Sequence, residues 1–490
     1  MTKVIKWKQL NVEEQALCVF LQGVLNRIGI KICVDIENYM TYLNDTYEYI
    51  DIYDLIKENS DHFKGIVSYK LDCEDVAINM AAMLCAKYDY LGVPEKLVTK
   101  ISNISGLNVV RDMSEIKGSR AHRQKVIFDE VKDSLRNDGL VHQVVNKNSF
   151  LIMLRDFSIK NRYACIYTSE NDEDLSFRRE VLSFLKPVSP IYGWNDDEIS
   201  FIRCISEYGH YCIPSDWCSN QSYFNANSNI TFKQKTRRTK IRDNKHYLAI
   251  VVSDGDNIQW LLRDFATTST FGNREKSNMD YKITWTLSPS LINLCPEALD
   301  KVCKFDKLNY FICSVSGIGY ANLMSFPEKY IEKYCQYSID TMKRMDLNVV
   351  CLLDNINNIK SQENVNKRLY FYGKSDIIGG IWEIDPDRYS SGNGKIYYVN
   401  DKPFVSVKYS LWCTYAKVGE APKSFLDEYI SILNSLKPNI HSEDGYTVLN
   451  VHPWSISIQD LDYIVSNLSD DIELVYADEL INLIKKNVRR

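Results

Sequence analysis

Several chemistries are excluded by what this chain of 490 residues lacks. It has 14 cysteines but no C-x-x-C spacing. Its seven histidines, at 62, 122, 142, 210, 246, 441 and 452, include no pair three or four residues apart. Zinc-ribbon and thioredoxin-type readings therefore fail, and a zinc-dependent sugar deacetylase lacks its expected histidine pair. Excess positive charge is missing too. The net charge of −5 leaves no footprint for general nucleic-acid binding, and the one basic run, KQKTRRTKIRDNK (233–245), reads as a solvated linker. No apolar stretch is long enough to cross a bilayer, since ALCVFLQGVL (16–25) is short and broken by Gln22. The opening MTKVIKWKQLNVEEQ carries no apolar segment of secretory type. Together with scattered thiols this leads to the expectation of a reducing, cytoplasmic setting. SGIGY (316–320) is neither a P-loop nor a complete dinucleotide fingerprint, and DRYSSGNGK (387–395) is not followed by a helix signal. No cofactor or metal is expected.

What is present is ordinary for a globular protein, with 45% apolar and 25% charged residues. The length exceeds one core, so two or three domains are expected. Tyrosine is abundant, 32 residues against 18 phenylalanines. Flat rings with a polar edge suit half-buried positions, and they also suit sugar faces.

The N-terminal half alternates short strands and helices. Val12 to Arg27 carries apolar residues at three- and four-residue spacing, and Gly29 stops it before the strand IKICVDI (30–36). GIVSY (65–69) is a second strand, followed by the buried helix pattern VAINMAAMLCAKY (76–88). The rhythm resumes with YACIYT (163–168), VSPIYGW (188–194) and the helix DDEISFIRCISEYG (196–209). Such alternation predicts βαβ units and short parallel sheets. Residues 215–245 then turn Ser/Asn-rich and basic, which places a boundary between an N-terminal α/β region, 1–242, and a C-terminal domain, 243–490.

The second region holds strand candidates at regular intervals: 247–253, 282–288, 310–316, 348–353, 377–384, 405–412, 446–452 and 472–477. Helix-length stretches separate several of them, and a closing helix DELINLIKK (478–486) follows. Eight strands alternating with helices predict a (β/α) barrel-like domain.

Barrels keep their sites at the C-terminal ends of strands. Here those ends carry Asp254-Gly255-Asp256-Asn257, Gly317 to Tyr320, Asp354-Asn355, Glu383 with Asp385, and His452-Pro453-Trp454. Each alone fits a turn, a helix cap or a satisfied histidine. Their recurrence beside Trp260, Trp382, Trp412 and Trp454 points to one site. Acids with aromatic walls fit glycoside hydrolysis, which needs a carboxylic acid to protonate the leaving oxygen and a second carboxylate as nucleophile or base. Asp254, Asp256, Glu383 and Asp385 are the candidate acids, with Glu383 as acid/base and one of Asp254 and Asp256 as partner. Asn257, Trp260, Gly317, Gly319, Tyr320, Trp382, Trp412, His452 and Trp454 are the candidate substrate-binding residues. The same Asp-x-Asp with His452 also suits a metal-dependent carbohydrate hydrolase. A non-catalytic carbohydrate-binding or scaffold protein is the further alternative.

VVSDGDNIQW (251–260), SGIGYANLMSFP (316–327), YSSGNGKIYYVNDKPFVSVKYSLW (389–412) and YTVLNVHPW (446–454) together resemble the GxGYxYP family of glycoside hydrolases. LQGVLNR (21–27) and PIYGWNDDEISFIRCISEYG (190–209) extend the resemblance into the N-terminal half. It implies a carbohydrate or glycoconjugate as partner and carries over Asp254, Asp256, Gly317, Gly319 and Tyr320 as motif positions. The namesake motif departs after Tyr320, because the second Tyr and the Pro fall on Asn322 and Leu323.

Overall fold

The computed structural model describes all residues except 73–74, 145–151, 225–231, 235–239, 241, 266–270, 305–307, 355–360 and 489–490. Residues 235–239 and 241 of the basic run at 233–245, and Asn355, thus lie outside the described residues. The chain forms two compact units, Met1–Ser228 with Asn293–Glu297, and Asn229–Ile292 with Ala298–Arg490.

Among the described residues the first unit contains three short parallel sheets. β1 (Thr2–Ile5) lies between β2 (Ile32–Val34) and β3 (Tyr47–Tyr49); β4 (Ile66–Tyr69) lies between β5 (Leu91–Pro94) and β6 (Val109–Asp112). The third sheet has the order β10 (Tyr211–Ile213), β9 (Pro190–Gly193), β7 (Leu140–His142), β8 (Ala164–Ile166). The helix expected at Val12 runs over Val12–Arg27. Asn11 accepts from the Glu14 amide while Glu14 accepts from that of Asn11, so two otherwise orphaned donors are satisfied at its start. Its residues from Ala16 to Leu25 are all buried, and the chain leaves it through Gly29 at φ 93°.

The second unit is built on one ten-stranded mixed sheet. Its strands are β11 (His246–Val252), β12 (Ile283–Leu287), β13 (Asn309–Cys313), β14 (Val349–Asp354), β15 (Gly379–Ile384), β16 (Ile396–Val399), β17 (Lys402–Ser406), β18 (Tyr409–Leu411), β19 (Tyr446–Val451) and β20 (Ile472–Val475). The path reads β16-β17-β15-β14-β13-β12-β11-β19-β18, with β20 pairing to β11 beside it. Every pair is parallel except the β16–β17 hairpin, which turns at Asn400-Asp401, both at positive φ. The strand expected at 405–412 is divided. β17 pairs with β15, whereas β18 pairs with β19. The path has two end strands, β16 and β18, and the described strands form a large mixed sheet.

Both faces of β11 are buried, which is why it reads as an unbroken apolar run. On one face Tyr247, Ala249 and Val251 join Tyr310, Ile312, Val349, Cys351, Ile381, Tyr446 and Val448 in a single core. The closing helix Ala477–Asn487 packs on β11, β15, β17 and β19 and adds Leu480, Ile481 and Ile484 to that core. Burying each such side chain contributes about 1.5–3 kcal/mol. Alternation along the strands then carries the same face upward to Ser253, Glu383, Asn450 and His452. Polar residues thus succeed apolar ones exactly where the strands end. Among the described residues no helix is long and apolar enough to cross a membrane.

Candidate active site

Glu383 follows Ile381 on the core-facing side of β15 and is 2% exposed. Asn450, on the matching face of β19, donates from Nδ2 to its Oε1 at 2.6 Å. Burial pushes the Glu383 carboxyl well above the glutamate range; the charges of Asp254 and Asp256 push it further, and Asp385 adds to them. A hydrogen bond from the Cys351 thiol on β14 opposes the rise. These effects favour the neutral, protonated form of Glu383, the form a proton donor needs.

Asp254 stands in the left-handed region at φ 64°, at the turn that ends β11. Its Oδ2 accepts from Ser253 Oγ at 2.5 Å and its Oδ1 from the indole of Trp454 at 3.0 Å. Gly255 is required by packing. Its amide donates to Thr286 Oγ1 at 2.9 Å, its carbonyl accepts from the Ser288 amide at 2.7 Å, and an added Cβ would overlap the Thr286 carbonyl of β12. The glycine between the two acids therefore lets the turn lie on the next strand. Asp256 is half-buried and its charge reaches both Glu383 and Cys351.

His452 Nε2 lies 3.7 Å from Asp254 Oδ2. This distance is no ion pair at neutral pH, because burial lowers the imidazole pKa and Asp254 only partly opposes it. The ring stacks on Trp412 at 3.8 Å and 8°, and Tyr389 adjoins Trp412 at 5.3 Å. Trp454, 41% exposed, leans on the buried Trp260 at 5.4 Å. Asn257 accepts from the Trp260 amide at 3.3 Å and so caps the short helix Ile258–Trp260. Asp385 accepts from the Tyr389 amide at 3.3 Å; burial first, then Asp354, raises its pKa. Trp382 is placed away from these groups. Neighbours on a strand face opposite sides, and its ring packs on Tyr397 of β16 at 5.3 Å. Among the described residues no set of three or more His, Cys, Asp or Glu side chains converges to hold a metal ion.

Residues 244–485 match the GxGYxYP putative glycoside hydrolase C-terminal domain, and residues 144–226 match the GxGYxYP third domain. The chain belongs to the GxGYxYP family. The fold is also that of a solved structure described as a putative hydrolase from Bacteroides thetaiotaomicron VPI-5482, at 22% identity and a TM-score of 0.86, covering 99% of this chain and 94% of that one. No curated protein matches.

In this GxGYxYP protein the namesake loop is buried framework beside the acids. Ser316 and Gly317 both have positive φ. Ser316 donates its amide to the Cys351 carbonyl at 2.7 Å, and the amide of Ile318 donates to Ser338 Oγ at 2.9 Å. A Cβ on Gly317 would overlap Ser338 Oγ and Tyr372 Oη. The Gly319 carbonyl accepts from Tyr334 Oη at 2.7 Å, and Tyr320 is buried. Where the family has its second tyrosine, Asn322 donates to Asp354 Oδ1 at 3.2 Å, and the Asp354 carbonyl accepts from the Asp385 amide at 3.0 Å. The loop thus ties β13, β14 and the segment after β15 together. Sequence reasoning passed over Asn450, Ser253, Cys351 and Tyr389. Asn450 had a readable signal, being a polar residue two positions beyond Val448 on a core-facing register.

Proposed function

We propose that this protein is a glycoside hydrolase in which Glu383 protonates the leaving oxygen and a carboxylate of Asp254 or Asp256 acts as nucleophile or base. The observation that carries the reading is the unequal environment of the acids. Glu383 is buried and charge-opposed, which favours its protonated form, whereas Asp254 accepts hydrogen bonds on both oxygens. Two carboxyl groups in such different surroundings are what the reaction divides between acid and base. The glycosidic C–O bond breaks, the departing oxygen takes the Glu383 proton, and water supplies the hydroxyl of the new reducing end. The exposed ring of Trp454, with Trp412 and Tyr389, offers flat faces for a sugar ring. The family membership favours a carbohydrate over other substrates with an acid-labile bond.

The barrel-like reading goes with this proposal. Val407 donates its amide to Trp382 O of β15 at 2.9 Å, and the next residue, Lys408, donates to Val448 O of β19 at 3.1 Å. The segment β17–β18 therefore passes directly between those strands, as a ring closure requires.

The test is a panel of aryl glycosides and oligosaccharides assayed with wild type, Glu383→Gln, Asp254→Asn and Asp256→Asn. Release by wild type, reduced at least about 100-fold by Glu383→Gln, is the expected result. Equal release by Glu383→Gln rejects the assignment of the acid. Sugar binding without release by any form favours a carbohydrate-binding protein instead.

A further inference from the structure

The amide that meets Glu383 belongs to a residue outside the expected set. Asn450 is fully buried and stands on the core-facing side of β19, two residues beyond Val448. Its Nδ2 lies 2.6 Å from Glu383 Oε1, while its own Oδ1 is buried without a donor among the described residues. An aliphatic residue at this register would extend the core without leaving an orphaned acceptor. The amide is thus placed for its neighbour, not for packing.

Of the titratable groups acting on Glu383, three acids raise its pKa and the Cys351 thiol opposes them. Asp254 and Asp256, from the turn after β11, and Asp385, after β15, repel its charge. Cys351 on β14 offers a thiol, a weak donor, and its own deprotonation is suppressed by burial and by Glu383. His452, two residues beyond Asn450, faces Asp254. Asn450 is therefore the amide donor held against the carboxyl.

We propose that Asn450 is the positioning residue of Glu383: its Nδ2–H holds Oε1 so that the exchangeable proton resides on Oε2 and its release is made easier. A hydrogen bond to a carboxyl oxygen favours the charged form, so it moderates what burial and three acids raise. It keeps the acid strong enough to give its proton away. This deepens the glycosidase reading and rests on it for the meaning of the proton, but not for the geometry.

The experiment reads Glu383 without substrate. Difference infrared spectra between wild type and Glu383→Gln isolate the Glu383 carboxyl band, which is then followed against pH. In Asn450→Leu the midpoint is expected to rise by about one pH unit, a tenfold gain in proton affinity. The conservative Asn450→Gln, which retains a donor, moves it less. In wild type the Asn450 side-chain amide resonance is expected to shift with the same midpoint, a measurement that needs no variant to fold. A Glu383 midpoint unchanged in Asn450→Leu, or an Asn450 amide insensitive to it, overturns the proposal. A raised midpoint in a protein that cleaves no glycoside leaves the positioning role standing and rejects the glycosidase reading. An active glycosidase with an unmoved midpoint does the reverse.

Discussion

The indole N–H of Trp454 donates to Oδ1 of Asp254 at 3.0 Å, joining the loop after β19 to the turn after β11. Trp454 is nonetheless 41% exposed, so part of its ring is free while its edge is engaged. One residue thus orients a carboxylate and presents an apolar face. Trp454→Phe separates the two, because the ring remains and the donor goes. A hydrogen bond to a charged group contributes about 1.5–3 kcal/mol. Turnover of a cleaved glycoside is expected to fall roughly 10–100-fold, with little change in thermal midpoint because the site is exposed. Steady-state kinetics beside a melting curve check it; a large loss of stability with unchanged kinetics rejects it.

Glu383 makes stability depend on pH in a stated direction. Its folded pKa is raised, chiefly by burial and then by Asp254 and Asp256. In the unfolded chain it titrates near about 4.3. Between those values the folded state binds the proton and the unfolded state does not, so stability falls as pH rises, by up to about 1.4 kcal/mol per unit. The contribution is complete below the unfolded pKa and lost as pH climbs through the folded one. Glu383→Gln keeps an acceptor for Asn450 and removes the titration. Urea unfolding from pH 5 to 8 is expected to show a shallower decline in the variant. Parallel declines reject the assignment.

Much of the framework was legible, for identifiable reasons. Buried parallel strands read as apolar runs, so β11, β12, β14 and β19 stood out, and the capped helix Val12–Arg27 announced both its ends. The strands β1, β3, β7 and β10 have three or four residues, too short for a period to show. The order of the strands in the sheet was not legible at all. Spacing along the chain gives alternation, but which strands pair depends on register between distant segments, and residues 405–412 divide between two partners. At the site, the charge of Asp254 acts on Glu383. Trp382 shows what that argument omitted, because a period of two sends it and Glu383 to opposite faces.

Gly255 is expected to tolerate no side chain. The Cβ of an alanine would overlap the Thr286 carbonyl, which is backbone and unable to swing aside. The turn would have to lift from β12, breaking the bonds of Gly255 to Thr286 and Ser288. Gly255→Ala is expected to destabilise the second unit by at least about 2 kcal/mol and to shift Asp254 with it. Denaturant unfolding checks the first effect. A wild-type midpoint would show that the turn is held less tightly than its contacts imply.

The imidazole of His452 lies flat on the indole of Trp412 and 3.7 Å from Asp254. Burial lowers its pKa and Asp254 partly restores it, so the ring is neutral at neutral pH. Trp412 supplies much of that burial from one face. In Trp412→Ala water reaches the ring, the desolvation cost shrinks, and the attraction to Asp254 remains. The His452 pKa is therefore expected to rise, by about one unit if the exposure is substantial. Histidine NMR titration of wild type and variant measures it directly. The sign extends to stability. A depressed histidine pKa makes the folded state bind fewer protons than the unfolded, so stability is lost as pH falls through the unfolded value near about 6.5. Relieving the depression removes that part of the acid sensitivity, although the lost stacking lowers stability at every pH. A titration unmoved by loss of the indole would mean that the β19 backbone, and not the stack, keeps His452 neutral.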